Sequence, residues 1–252
     1  MRDKILSIPS GRRGRFALIE SPFRPFFLAS AAWAALTMAA WLAVWRAGID
    51  WPSAMAPRAW HAHEMLFGYV SGVVAGFLLT AVPKWTGRAA LDGPPLIAVL
   101  GLWVAGRLAL AVPCAVGTVT GAAIDLAFLP TVGAIALADI AAARRWRDWP
   151  VLVAVAVLLL GNVVFHLDAA AGRPADLGVR IGLSGTVIMM IVVGGRAVPG
   201  YTRTLLLQRD LIGGTAGPLP RPFSRVDLLS IGAAAGHSDA TPASRNPSGM
   251  NP

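Results

Sequence analysis

Hydrophobic positions along the chain do not alternate or recur with a helical period. They run in long, mostly apolar blocks at 27–45, 65–83, 96–114, 121–142, 150–167 and 177–198. Each block is close to the roughly 20 residues that an α-helix needs to cross a bilayer. The pattern predicts an all-α membrane protein, with about six transmembrane helices in a bundle over 27–212. A basic N-terminal arm, 1–26, precedes the bundle. From Gly213 the composition turns to Gly, Pro, Ser, Ala and Asn, and 213–252 reads as a disordered tail. The first block is longer than a signal-peptide core and is read as a retained span, with Trp41 and Trp45 near its far interface. Pro130 predicts a kink in the fourth span. No internal repeat is evident.

Composition supports the same class. The chain is 56% hydrophobic and 14% charged, against about 25% charged residues in soluble domains. A net charge of +9 would point to nucleic acid in a soluble chain, but here its distribution explains it without such a partner. Arg2, Lys4, Arg12, Arg13, Arg15 and Arg24 lie in the N-terminal arm, Lys84 and Arg88 between spans two and three, and Arg144, Arg145 and Arg147 between spans four and five. The alternate segments carry only Arg46, Arg58 and Arg173. The positive-inside rule then places the N-terminus in the cytoplasm of a multi-pass membrane protein. The single cysteine, Cys114, excludes an intrachain disulfide. There is no CxxC, HExxH, P-loop or dinucleotide-type glycine fingerprint to support ATP hydrolysis or zincin chemistry.

Polar residues inside the apolar blocks are few. The second span opens on Trp60-His61-Ala62-His63-Glu64-Met65. On a helix entered at Pro57, His61 and Glu64 fall within roughly 120° of Gly68, Gly72 and Gly76. Glycines four apart let a second helix approach closely, so this face is expected to be the packed one. His63 is expected roughly on the opposite side, which favours His61 as a ligand. A His-x-His pair shares one ion only if the backbone there is not helical. Arg107 lies in the third span, Asp125 near the start of the fourth, and Asn162 and His166 near the end of the fifth. Because successive spans alternate in direction, all of these lie at similar depth, within roughly 10 Å of the outer interface.

Ionisable groups inside a membrane are costly and usually functional. Imidazole is a common ligand for iron and copper. A haem site needs histidine to ligate and cations to hold the propionates. The candidate metal ligands are therefore His61, His63, His166 and Glu64, with Arg107, Asp125 and Asn162 as cofactor-binding partners; no catalytic residue is assigned. The same residues would also serve a proton relay, so an alternative is a membrane transporter or proton-coupled carrier. Simpler roles are an Arg107–Asp125 ion pair, an interhelical hydrogen bond from Asn162 and interfacial histidines.

The segments Phe23-Arg24-Pro25-Phe26-Phe27, WHAHEM at 60–65, Gly76 to Pro83, Trp85-Thr86-Gly87 and Gly194-Gly195-Arg196-Ala197-Val198-Pro199 resemble the NnrS family over about residues 20–205. These are bacterial inner-membrane proteins bearing haem and copper, linked to nitric oxide metabolism and nitrosative stress. The resemblance implies haem and copper as cofactors and nitric oxide as a small-molecule partner, beside the lipid bilayer. His61 and His63 correspond to the motif histidines, and His166 to a histidine following an Asn in the fifth span. Family members resemble a bundle with about twice as many spans, which implies a second bundle half or another copy of the chain as a partner.

Overall fold

A computed structural model describes residues 17–48, 53 and 55–211. The expected tail and most of the basic arm lie outside the described residues. Among the described residues the regular structure is entirely helical. Six helices are long and apolar enough to cross a membrane. They are α1 (Phe23–Ala47), α2 (Pro57–Thr86), α3 (Gly93–Ala111), α4 (Thr118–Ala142), α5 (Pro150–Ala170) and α6 (Asp176–Leu211). The first begins inside the segment expected to be the basic arm, because Pro25 falls in the first turn, where its missing N–H breaks no helical bond. The N–H of Phe23 at that start is taken up by Thr80 Oγ1 of α2 at 3.0 Å. Helix α4 continues through Pro130 without a break. Gly48 and Gly87 stop α1 and α2 in the left-handed region, at φ 63° and 72°, each returning its N–H to the last turn.

The central helix is α2. Two-thirds of its apolar window is buried (67%), against 11% for α1 and 44% or less for the others. Pro57 occupies its first turn. An α-helical segment, Pro57–His63, leads into a π-helical one, Glu64–Val70, and α-geometry resumes over Ser71–Thr86. The wider turn disturbs the i→i−4 ladder, as such insertions do at functional sites. Local donors meet its carbonyls: Ser71 Oγ donates to the oxygens of Phe67 and Gly68, and the Trp103 indole of α3 donates to Gly68 O at 3.0 Å.

Helix α2 is packed on more than one side. A Cβ at Gly76 would meet Phe26 and Phe27, one at Gly72 would meet Ser30 and Trp103, and one at Gly68 would meet Arg107, Glu64 and Trp33. The glycine stripe therefore receives bulky side chains from α1 and α3, as its spacing led us to expect. On another side Phe67 packs against Phe165 of α5 (ring centroids 5.9 Å) and lies where a Cβ at Gly182 of α6 would go.

The described residues divide into a unit ending at Met190 and a second beginning at Ile191. Within the first, α5 and the start of α6 meet backbone to backbone at Gly161, Gly178, Gly182 and Gly185. A Cβ at Gly161 would stand 2.5 Å from the Gly182 nitrogen and 2.8 Å from its Cα. Backbone cannot rotate aside, so Gly161→Leu is expected to lower stability by about 1–3 kcal/mol. Thermal unfolding in detergent measures this; an unchanged midpoint would show that the helices do not meet here. In the second unit, the described part is the remainder of α6, helical through Gly194, Gly195 and Pro199.

Candidate metal centre

Six of the seven polar residues singled out in the sequence converge at the end of the bundle where α2 begins. Glu64, on α2, is fully buried and uses both carboxylate oxygens. Oε2 accepts from Trp33 Nε1 of α1 at 2.7 Å and from Arg107 Nη1 of α3 at 3.0 Å, and Oε1 lies 3.1 Å from His63 Nδ1. The other terminal nitrogen of Arg107 pairs with Asp125 Oδ1 of α4. Asp125 Oδ2 accepts from Asn162 Nδ2 at 2.8 Å and sits 2.9 Å from His166 Nε2, both on α5. His63 Nε2 completes the ring, 3.1 Å from Asn162 Oδ1 and 3.4 Å from Asp125 Oδ2. Four helices enclose this network in addition to α1, and its members are buried: His63 and Glu64 at 0% exposure, Asn162 at 1%, Arg107 at 2%, Asp125 at 3% and His166 at 8%. With α5 contributing both Asn162 and His166 one turn apart, the pair stacks on one helical face.

His61 stands outside. Its ring stacks on Trp41 of α1, centroids 4.5 Å apart, and Trp41 in turn stacks on Trp45. The helix does separate the two histidines of the His-x-His pair, but the expectation that His61 enters the centre is corrected: His63 does. Its ring lies 4.9 Å from that of Phe165 and 5.0 Å from that of His166. The glycine face was taken as the only packed one. Because α2 is central, the face roughly opposite is packed as well, against α5, and it carries His63. Glu64 shares the glycine face and spans the two.

Sequence reasoning did not find Trp33, whose indole fixes Glu64. A signal existed: Trp41 and Trp45 lie toward a helix end, where tryptophan concentrates at the membrane interface, whereas Trp33 does not. Trp103, which meets the widened turn, and Phe67 and Phe165, which wall His63, were also missed; apolar blocks give aromatic residues no distinguishing pattern.

The donor chemistry suits a small cation. Ligand atoms of His63, Asp125 and His166 all lie within 4.8 Å of one another. If His63 gives its Nδ1–H to Glu64, Nε2 faces Asn162 Oδ1 and Asp125 Oδ2, and either a second proton on the ring or a cation among these atoms satisfies the acceptors. Two carboxylates against one guanidinium also leave one negative charge that a bound cation or a protonated imidazole would balance, since buried charge needs a partner. Two imidazoles with a carboxylate suit copper, zinc, iron or nickel. The Glu64–His63 contact is the carboxylate–histidine arrangement that orients a metal-ligating ring. A haem does not fit the same residues. The His63 and His166 rings stand edge to face at 5.0 Å, with Asp125 Oδ2 beside both, and no porphyrin plane passes between them. Arg107, expected as a propionate partner, is engaged by two carboxylates.

The family model described as "NnrS protein" matches residues 17–244. The chain belongs to the NnrS family. The match includes all six spans and runs beyond residue 205, where the recognisable motif segments end. No curated protein and no solved structure matches the chain. Membership and the six spans make this a multi-pass, nitric-oxide-related membrane protein.

Proposed function

We propose that this NnrS protein holds a copper ion between His63, Asp125 and His166 and acts in nitric oxide metabolism or resistance to nitrosative stress. The observation that carries the reading is the buried His–Asp–His set with its ligand atoms within 4.8 Å, backed by a carboxylate on the far nitrogen of His63. Copper bound there supplies a coordination position for a diatomic ligand. The chain's own residues do the rest. Glu64 holds the His63 ring with Nδ1 turned away from the ion. Arg107 and Asn162 hold the Asp125 carboxylate. Trp33 and Phe165 help close the site against water. The test is metal analysis of detergent-purified protein, followed by anaerobic titration with nitric oxide. Copper near one per chain with a nitric-oxide-dependent spectral change is expected; copper-free protein that takes up none on addition would end the proposal.

The carrier alternative gains nothing from the structure. Past the network toward the other end, α4 and α5 bury Leu129, Val132, Ala136, Val151, Val155 and Leu158, an apolar plug with no buried ionisable group among them.

The Lys and Arg distribution further supports a cytoplasmic N-terminus in an inner membrane, which sets the centre near the periplasmic face. A reporter fused after Ser53 is expected to read periplasmic, and one within 143–148 cytoplasmic. The opposite readings would move the centre to the inner side.

A further inference from the structure

A cavity of about 540 Å³ opens beside the network, between α3, α4 and α5. Its size lies within the range of small-molecule sites, which are mostly apolar with a few convergent polar groups. Five alanines line it: Ala109 of α3, Ala122 and Ala123 of α4, Ala169 and Ala170 of α5. Such short side chains leave flat-walled space between helices. Val119 and Leu167 also line it and are 81% and 60% exposed, so one side of the mouth is apolar, while Ser53 and Thr118 line it too. Among the described residues, no Lys, Arg, Asp or Glu lines the cavity, and the ionisable lining residue is His166. The Nε2 of His166 is turned to Asp125, which leaves the rest of the ring edge to the cavity.

These features narrow the occupant. A charged molecule would meet no counter-charge among the described wall residues and would leave its solvation unreplaced there. A haem would find no cation for its propionates. A diatomic gas needs a small fraction of the volume. We propose that the cavity binds a lipid-soluble, uncharged molecule with a ring-sized carbonyl or hydroxyl head, of the quinone–quinol class, its head hydrogen-bonded to His166 and its tail leaving past Val119 and Leu167. Nε2 of His166 faces the Asp125 carboxylate; with its proton there the other ring nitrogen accepts from a quinol hydroxyl, and with a cation there instead it donates to a quinone carbonyl. The site requires no metal ion and stands whether or not copper occupies the neighbouring network.

The probe is decylubiquinone, measured by equilibrium partition into protein-containing micelles against empty ones. Saturable binding near one per chain is expected. Ala123→Trp fills the cavity from a residue outside the metal centre and should weaken binding at least tenfold. Leu183→Trp, on an exposed face of α6, should leave binding unchanged. The thermal midpoint and a monodisperse elution in detergent confirm that each variant folds; if Ala123→Trp does not, the smaller Ala122→Leu is used, with a weakening of at least threefold expected. Absence of saturable binding in the wild type overturns the proposal. So does binding that survives the cavity-filling variants. Displacement by decane as effective as by unlabelled decylubiquinone also overturns it, since the cavity is then a cleft for lipid chains that ignores the head.

Discussion

Alanine at His63 is expected to empty the proposed metal centre, and alanine at His61 to leave it filled. The two histidines are separated by one residue in the motif but face different neighbours. His63 is fully buried, 3.4 Å from Asp125 Oδ2 and 5.0 Å in ring centroid from His166. His61 lies against Trp41, where its loss removes a stacking contact and no ligand. His166→Ala is expected to behave like His63→Ala, because each leaves only one imidazole beside the Asp125 carboxylate, too few donors to hold a copper ion in competition with a chelator. Glu64→Gln tests the supporting role separately. Its carboxylate touches no ligand position but holds Nδ1 of His63, and changes of this kind typically lower metal affinity by about 10–100-fold. Copper per protein, read across a series of chelator strengths, ranks the four variants. Emptying by His61→Ala with retention by His63→Ala would reverse the assignment. Equal copper in all four would remove the ion from this network altogether.

Arg107→Leu is expected to be the most destabilising single change in the bundle. The guanidinium bridges Glu64 and Asp125, which are each buried and lie on different helices. Removing it leaves two buried carboxylates without their shared cation. Breaking a buried ion pair from one side typically costs about 3–5 kcal/mol, because the remaining charge has no partner. Replacing the whole set by neutral groups of similar size is often nearly neutral. The triple variant Glu64→Gln, Arg107→Met, Asp125→Asn should therefore recover much of the stability while still losing the metal. Thermal unfolding in detergent compares the two. A single variant that melts like the wild type, or a triple variant no better than the single, would show that the network is not charged as drawn.

Much of the architecture was legible from the chain alone. In lipid every backbone polar group must be satisfied within its own helix, so each span is decided locally by twenty or so apolar residues. That is why the six blocks appear as six helices and why Pro57, Gly48 and Gly87 stand at helix ends. The depth of the polar residues was legible for the same reason: span direction alternates, so Glu64, Arg107, Asp125, Asn162 and His166 had to share one end. The glycine spacing in α2 also identified a face of close approach, now seen against Phe26, Phe27, Ser30 and Trp103.

Facing was another matter. In a soluble helix the polar side marks the outside. Here the lipid-facing side is as apolar as the packed one, so periodicity says little about how many sides of a helix are covered. Only the assembled bundle shows α2 at its centre, with α1 and α3 on its glycine stripe and α5 behind His63. The π-helical segment adds to this, since it turns the chain by a different angle per residue than an α-helix. The choice of His63 over His61, the anchoring of Glu64 by Trp33, and the cavity beside His166 all depend on which helix stands next to which. A single span presents every side chain somewhere around its circumference; which of them meets a partner is decided by the neighbours, and the sequence of that span does not contain them.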